Sequence, residues 1–173
     1  MKALVGSGLV VMFALPAGVA AVVAGAASSH ATGVPSPTAM ADVPAPLLAA
    51  YQQEAARCPG LPWPVLAAIG KVESDHGRGG SAIPGQDTGT ASRNIGPPLE
   101  GGGGTARVVD TDGGRLDGDA VLDRAVGPMQ FLPGTWARWG RDGDGDGTAD
   151  PFNSFDAIAS AAAYLCGTRG WVD

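Results

Sequence analysis

Glycine is concentrated in one stretch of the chain, and this concentration limits where a packed core can form. Of the 28 glycines among 173 residues, ten lie between residues 77 and 104, and few large apolar side chains accompany them. Such a stretch has little apolar surface to bury, so it cannot pack as a core of its own. We therefore expect a mobile glycine-rich loop at 77–104, with the core built from the segments on either side.

The chain is acidic overall. It carries 11 basic and 17 acidic residues, for a formal net charge of −6. Proteins that bind nucleic acid need clustered Lys and Arg side chains to neutralise phosphates, and the sequence has no stripe of such residues. We therefore expect no nucleic-acid partner. The length is enough for one folded domain rather than two.

The first 27 residues have the organisation of a targeting segment. A single lysine precedes a long apolar run, and the tripeptide Ala24–Gly25–Ala26 fits a signal-peptide cleavage site. The run approaches the ~20 residues that span a bilayer, so the alternative is an uncleaved anchor that tethers the protein to a membrane. Pro16 and several glycines disfavour the anchor. Export predicts a protein that is secreted or held in the cell envelope.

Residues 28–46 are mostly Ser, Thr, Ala and Pro with almost no charge, which is typical of a flexible linker. This leaves residues 47–173 for the folded domain. The two cysteines of the chain, Cys58 and Cys166, lie near the ends of that domain. An oxidising compartment favours a disulfide between them, and the alternative is a pair of buried free thiols.

Apolar periodicity predicts a mainly α domain. Helices are expected over residues 47–57, 64–75 and 155–166, with a further helix that starts near residue 133. Asp-Gly and Gly-Gly steps between short apolar pieces at 107–123 predict a small β-hairpin.

A carboxylate interrupts the apolar face of the second predicted helix. At 100° per residue, Leu66, Ile69 and Val72 share one apolar arc. Glu73 falls inside the same arc. Burial raises the pKa of a carboxyl group because it disfavours the charged form, so this Glu can keep its proton near neutral pH and act as a general acid. The alternative is a helix-end Glu whose carboxylate reaches water.

An aspartate–glycine alternation at residues 142–150 matches the first half of an EF-hand loop. Asp142, Asp144 and Asp146 take positions 1, 3 and 5, Gly147 takes position 6, and the carbonyl of Thr148 takes position 7. Three carboxylates spaced two apart repel one another without a cation, so the pattern predicts a structural calcium ion. The alternative is a solvated turn.

Three segments in this order resemble lytic murein transglycosylases. They are residues 71–77 (KVESDHG), residues 127–133 (GPMQFLP), and the acidic loop with the helix after it, at 142–165. The resemblance spans roughly residues 46–166 and is greatest to the branch typified by the membrane-bound B-type enzyme. It implies an α+β lysozyme-like fold and cleavage of the β-1,4 bond between N-acetylmuramic acid and N-acetylglucosamine in peptidoglycan glycan strands. We expect no organic cofactor.

The resemblance also implies roles for individual residues. Glu73 would protonate the leaving oxygen and then take a proton from the muramyl 6-hydroxyl, which closes a 1,6-anhydro ring. Gln130 would contact substrate, Met129 and Phe131 would line the cleft, and Ser74 would support the region of Glu73. These four residues form the predicted substrate-binding set.

The B-type resemblance also completes the calcium site. An EF-hand loop has Glu at position 12, where this chain has Asn153. The B-type loop is longer and is closed by a later aspartate, which Asp156 matches. The predicted ligands are Asp142, Asp144, Asp146, Thr148 and Asp156. A second acidic stretch, at 110–114, is favoured as a turn.

The chain departs from the family at its end. The family's domain adds a helical segment with an Asn- and Tyr-containing motif, which predicts that this domain is incomplete at the C-terminus. Two other interpretations are open: a non-catalytic, calcium-stabilised peptidoglycan-binding module, and a calcium-dependent envelope interaction protein.

Asp117, Asp119 and Asp123 are candidate second acids for a hydrolytic variant, although turn and surface roles are favoured. His76 is favoured as a helix-end residue rather than a base.

Overall fold

The computed structural model describes residues 33–78, 94–101 and 106–169. The predicted targeting segment, the start of the predicted linker and most of the predicted glycine-rich loop lie outside these residues.

The described residues form a mainly α fold with a small antiparallel sheet, as predicted. In chain order the elements are α1 (Pro37–Asp42), α2 (Ala45–Ala56), α3 (Trp63–Ser74), β1 (Ile95–Pro98), β2 (Arg124–Val126), α4 (Pro133–Trp139) and α5 (Ser154–Arg169). The four predicted helices correspond to α2, α3, α4 and α5. A proline in the first turn starts α2, α3 and α4, where its missing N–H leaves no hydrogen bond unmade.

Residues 33–46 differ from the predicted flexible linker. The side chain of Ser36 caps α1 by accepting a hydrogen bond from the backbone N–H of Ala39. Val43, directly after α1, is buried in the core, and Asp42 forms an ion pair with Lys71 of α3. Composition alone missed this helix because Ser and Pro suit a capped first turn as well as a linker.

The core lies where α2 packs against α3 and α5. Tyr51 of α2, Leu66 of α3 and Ile158 of α5 are at most 1% exposed. A disulfide joins Cys58, just after α2, to Cys166 of α5. The favoured cysteine pairing is therefore confirmed.

The sheet differs from the predicted hairpin. Strand β1, inside the predicted glycine-rich loop, pairs with β2 in the registers Ile95 to Val126 and Pro98 to Arg124. Within the predicted hairpin, Val109 and Leu122 form an isolated antiparallel bridge. The backbone N–H groups of Asp110 and Asp123 donate to the carbonyls of Val121 and Val108, so a short part of the predicted hairpin is paired. The residues between these pairs form turns, in which aspartate carboxylates accept backbone N–H groups.

No helix in the described ranges is long and apolar enough to cross a membrane.

Candidate active site

Glu73 lies in the last turn of α3. Its side chain is half-buried, and its Oε1 atom is buried with no hydrogen-bond partner among the described residues. Burial raises the pKa of the carboxyl group from its ordinary value of 4.5 to about 7. The partly buried setting that the helical pattern predicts for Glu73 is therefore present, and about half of the carboxyl groups carry a proton at pH 7.

Val72 differs from the prediction. The helical pattern places it on the apolar arc, but the side chain is 52% exposed, whereas Leu66 and Ile69 are buried. Val72 is about 120° from Leu66 around the helix, so it lies at the edge of the arc, where packing against the core ends.

Ser74 joins the end of α3 to the segment at 127–131. Its hydroxyl donates to the carbonyl of Pro128 at 2.7 Å and accepts from the backbone N–H of Gly77 at 2.7 Å. The side chain is buried. Ser74 therefore holds the α3 terminus against that segment from inside the fold, and through this bond the structure brings two of the three predicted motifs together.

The segment at 127–131 is a tight turn that continues β2. Val126 and Phe131 form an antiparallel bridge across it, and Gly127 has a φ of 76°. A Cβ atom on Gly127 would collide with the carbonyl oxygen of Pro151. The turn therefore needs glycine both for its backbone conformation and for its close approach to the chain after the acidic loop.

Gln130 lies in this turn with a φ of 47°, in the left-handed region. Its Nε2 atom donates to the carbonyl of Gly127 at 2.8 Å and to that of Asn94 at 3.3 Å. These bonds fix the amide between β1 and the turn. The side chain is half-buried, so part of it is open to solvent.

Met129 and Phe131 point into the protein. Both are at most 1% exposed and belong to the hydrophobic core, where Phe131 makes an edge-to-face contact with Trp136. In this conformation they support the turn from behind rather than present a surface to solvent.

Three consecutive residues after Glu73 and Ser74 have positive φ: 52° at Asp75, 59° at His76 and 83° at Gly77. This conformation is uncommon for residues other than glycine. Hydrogen bonds from Arg78 and Lys71 hold the pKa of Asp75 well below its usual range and fix its carboxylate on the outer side of the turn.

His76 occupies the end of α3 and is buried. Its Nδ1 atom is 3.1 Å from the hydroxyl oxygen of Tyr51. Its Nε2 atom has no hydrogen-bond partner in the described part of the chain and lies 3.7 Å from Oδ2 of Asp42. Burial lowers the pKa of His76, so its ring is neutral near pH 7.

The acidic loop brings together three of its predicted calcium ligands. One carboxylate oxygen from each of Asp142, Asp144 and Asp146 lies within 4.8 Å of the others, and all three side chains are exposed. The pKa of Asp142 is lowered by hydrogen bonds from the backbone N–H groups of Gly147 and Gly145. A cluster of hard oxygen donors on a loop turned by glycine fits a calcium ion.

Asp156, the predicted closing ligand, is not in that cluster of three. It is fully buried, and its two carboxylate oxygens accept the backbone N–H groups of Gly143 and Asp150. Asn153 instead directly precedes α5 and caps it: its side-chain oxygen accepts from the backbone N–H of Phe155, and its amide donates to Asp144. Asp156 thus ties both ends of the acidic loop to α5.

The stretch at 110–123 contains a second group of close carboxylates, from Asp110, Asp112 and Asp123. Asp110 accepts three backbone N–H groups of the following turn, and Asp123 accepts both the N–H and the hydroxyl of Thr111. The turn roles expected for Asp117, Asp119 and Asp123 are present. The expected surface position is wrong for Asp117 and Asp123, which are at most 3% exposed. Asp117 is turned inward to accept the backbone N–H groups of Asp119 and Arg124, and Asp123 to accept from Thr111.

Residues 122–173 match the family model of the transglycosylase SLT domain. The match covers β2, the turn at 127–131, α4, the acidic loop and α5, which is less than a third of the chain. It supports a lytic transglycosylase-type enzyme that acts on peptidoglycan in the cell envelope, and the observed fold agrees with the lysozyme-like α+β fold of such domains. No curated protein and no solved structure matches the chain significantly.

The family match does not extend to Glu73 and is not specific to the B-type branch, so both remain predictions. Sequence reasoning missed the contributions of Tyr51, Asn94 and Asn153. Asn153 follows the Asp-rich loop and precedes a helix, which is a recognisable N-cap signal. Tyr51 and Asn94 act across 25 and 36 residues of sequence, and no local pattern reports such contacts.

Proposed function

We propose that this protein is a lytic transglycosylase that cleaves the β-1,4 bond between N-acetylmuramic acid and N-acetylglucosamine in peptidoglycan and leaves 1,6-anhydromuramyl ends. One observation carries the proposal. Glu73 has a buried carboxyl oxygen that no described residue hydrogen-bonds, and its pKa is about 7. Ser74 holds its helix end against the turn at 127–131. With a pKa of about 7, roughly half of these carboxyl groups carry a proton at pH 7, and that fraction can act as a general acid.

Each step of the proposed reaction uses the same carboxyl group. Glu73 donates its proton to the glycosidic oxygen while the bond from that oxygen to C1 of the muramyl sugar breaks. The carboxylate that results then accepts the proton of the muramyl 6-hydroxyl, and the 6-oxygen bonds to C1. Protons balance over the cycle, because Glu73 ends protonated, as it began.

The electrostatics of Glu73 favour this single-acid scheme. Burial alone accounts for its raised pKa, with no contribution from a second carboxylate among the described residues. Enzymes that use two carboxyl groups hold them roughly 5–10 Å apart, a range in which the charge of one raises the pKa of the other. In this scheme the acetamido group of the substrate would assist at C1 in place of a second carboxylate, as in known exceptions to the two-carboxylate scheme.

The turn at 127–131 would form one side of the sugar-binding cleft. Gln130 is the member we propose to contact substrate, because its side chain is only half-buried and its Nε2 atom is held by two carbonyls. This leaves the side-chain oxygen as an acceptor for a sugar hydroxyl or acetamido N–H. Ser74, Met129 and Phe131 would act from behind by holding the turn and α3 together.

We further propose that the acidic loop binds one structural calcium ion. Asp142, Asp144 and Asp146 would supply carboxylate oxygens, and Thr148 would supply its carbonyl. Asp156 would complete the set through its free lone pairs while its present hydrogen bonds hold the loop ends. The ion would neutralise three close negative charges beside α5.

The N-terminal segment would direct export, so that the enzyme meets its substrate in the cell envelope. The Cys58–Cys166 disulfide agrees with folding in an oxidising compartment.

The test is digestion of purified peptidoglycan, with mass spectrometry of the soluble products. We expect 1,6-anhydromuropeptides from the wild-type protein and none from Glu73→Gln. Ordinary reducing ends would contradict the proposed transglycosylation and indicate hydrolysis instead. A folded protein that sediments with peptidoglycan but releases no product would support the non-catalytic binding module.

A further inference from the structure

We propose that Tyr51 and His76 form a clamp that sets the position of Glu73, so that both are positioning residues for the reaction. We call the hydrogen bond between these two side chains the Tyr51–His76 clamp. The inference rests on the proposed function, because it assigns the role of holding the acid of that reaction in place.

The clamp contacts α3 at Gly70, one turn before Glu73. Tyr51 is 1% exposed, and its hydroxyl oxygen lies so close to Gly70 that any Cβ atom there would collide with it. Gly70 precedes Glu73 by three residues, and residues three apart are neighbours on a helix surface. The Tyr51 hydroxyl therefore contacts α3 one turn below the acid.

The backbone connects the clamp to Glu73 over a short path. The N–H of His76 donates to the carbonyl of Gly70 at 2.8 Å, and the N–H of Asp75 donates to that of Lys71 at 2.9 Å. These two bonds close the last turn of α3, which contains Glu73. A change in the position of the His76 ring thus moves the end of that turn directly.

The backbone at His76 needs an external support. A non-glycine residue at a φ of 59° lies in a sparsely populated region, and two such residues in a row persist only where the surroundings hold them. Asp75 is held from outside by Lys71 and Arg78. His76 is held from inside, by its hydrogen bond and tilted ring contact with Tyr51.

The charges around His76 set the direction of the clamp hydrogen bond. The ring is neutral, and the carboxylate of Asp42 faces Nε2 at 3.7 Å. A nearby carboxylate favours the tautomer with its proton on Nε2. Nδ1 is then the acceptor and the Tyr51 hydroxyl is the donor. The other groups that act on the ring are Lys71, Asp75 and Arg78.

The test measures Glu73 itself and needs no substrate. The chain contains only three Glu residues, so a protein labelled with ¹³C at the Glu side-chain carboxyls gives few signals to follow by NMR from pH 3 to 9. In Tyr51→Phe the ring remains but the clamp donor is lost. We expect the titration midpoint of Glu73 to fall from about 7 by about one unit, because a loosened helix end admits water to the carboxyl.

Two further variants make the test specific. Tyr164→Phe removes a hydroxyl from the other tyrosine of the chain, on α5, and we expect no shift of the Glu73 midpoint. His76→Asn keeps a hydrogen-bonding side chain that tolerates positive φ, and we expect a midpoint near that of the wild type. The inference is overturned if the Glu73 midpoint is the same in Tyr51→Phe as in Tyr164→Phe. It is also overturned if the midpoint falls as far in His76→Asn as in Tyr51→Phe.

Turnover supplies a separate readout. In the digestion assay we expect Tyr51→Phe to lower kcat about tenfold at pH 7, with KM changed less than about twofold, because a displaced acid impairs the chemical step and not sugar binding. If the wild-type protein releases no product at all, the proposed function fails. The NMR titration still decides whether the clamp controls Glu73.

Discussion

The carboxyl group of Glu73 and the carboxylates of the acidic loop are the same functional group in opposite environments. Glu73 is half-buried, its Oε1 atom has no partner in the described part of the chain, and burial raises its pKa to about 7. Asp142 is exposed, and backbone N–H groups lower its pKa. The buried setting of Glu73 favours a carboxyl group that still carries a proton near pH 7 and can donate it. The setting of Asp142 favours a permanent anion that attracts a cation. Chemical role follows from solvation and hydrogen bonding, not from residue type.

The largest effect is expected at the acid itself. Glu73→Gln keeps the shape of the side chain but has no proton to donate, so we expect cleavage of peptidoglycan to fall by about 10²–10⁴-fold. Product release measured by mass spectrometry checks this. Glu100→Gln, the same change at an exposed glutamate, is the control, and an equal loss in both variants would contradict the assignment.

The next effect is expected where the two regions touch. A Cβ atom at Gly127 would collide with the carbonyl of Pro151 at the end of the acidic loop, and the backbone there has a φ of 76°. We therefore expect Gly127→Ala to lower the free energy of unfolding by about 2–4 kcal/mol. Chemical denaturation measures it. Gly113→Ala has a similar φ but open space around it, and an equal loss there would show that backbone strain alone matters.

The calcium prediction tests the anionic half of the comparison. At a hundredfold excess over the Kd, calcium should raise the free energy of unfolding by about 2.7 kcal/mol, and this gain should be absent in the double variant Asp142→Asn, Asp144→Asn. Thermal unfolding with and without calcium measures it. The matched double variant Asp112→Asn, Asp119→Asn, in the other Asp-rich stretch, is the control. Its loss of stability relative to the wild type should be the same with and without calcium. A wild-type midpoint unmoved by saturating calcium would contradict the site.

The smallest effect is the pH dependence that Glu73 imposes on stability. Its pKa is about 7 in the folded protein against an ordinary value of 4.5, so the folded state binds more protons between these values. The stability that this contributes is complete below pH 4.5 and is lost as pH rises through 7. Since the carboxyl is only half-buried, we expect the loss to be about 1–2 kcal/mol. The free energy of unfolding of the wild type and of Glu73→Gln, measured at pH 5 and pH 8, checks this. An equal change with pH in the two proteins would contradict the prediction.

Local pattern predicted much of the helical frame and the setting of Glu73. The helices α2, α3, α4 and α5 follow from apolar periodicity. The pattern predicted a single apolar face for α5, whereas its residues 156–162 are all buried, so this helix is covered on every side along that stretch. Strand β1 could not be predicted in this way. It contains Gly96, Pro97 and Pro98, and it is stable because a two-stranded sheet consists of edges, where proline is tolerated.

The parts of the candidate site that were missed depend on contacts between distant segments. Nothing near Tyr51 in sequence indicates that its hydroxyl meets His76, since the pair forms only after α2 packs on α3. The burial of Met129 and Phe131 likewise depends on distant segments, because both belong to a core that also contains residues of α2, α3 and α5. Sequence reasoning identified these residues as neighbours of a site but not which way they point.

The disulfide has a consequence for how the chain would survive proteolysis. Cys58 and Cys166 are separated by 108 positions in sequence, and the segment between them contains Glu73, the sheet and both Asp-rich stretches. A single peptide-bond break anywhere in that span leaves the fragments covalently linked. Nicked protein would therefore run as one species on a non-reducing gel, because the disulfide still links α5 to Cys58, which lies just after α2. The fragments would separate only after a thiol reagent reduces that bond.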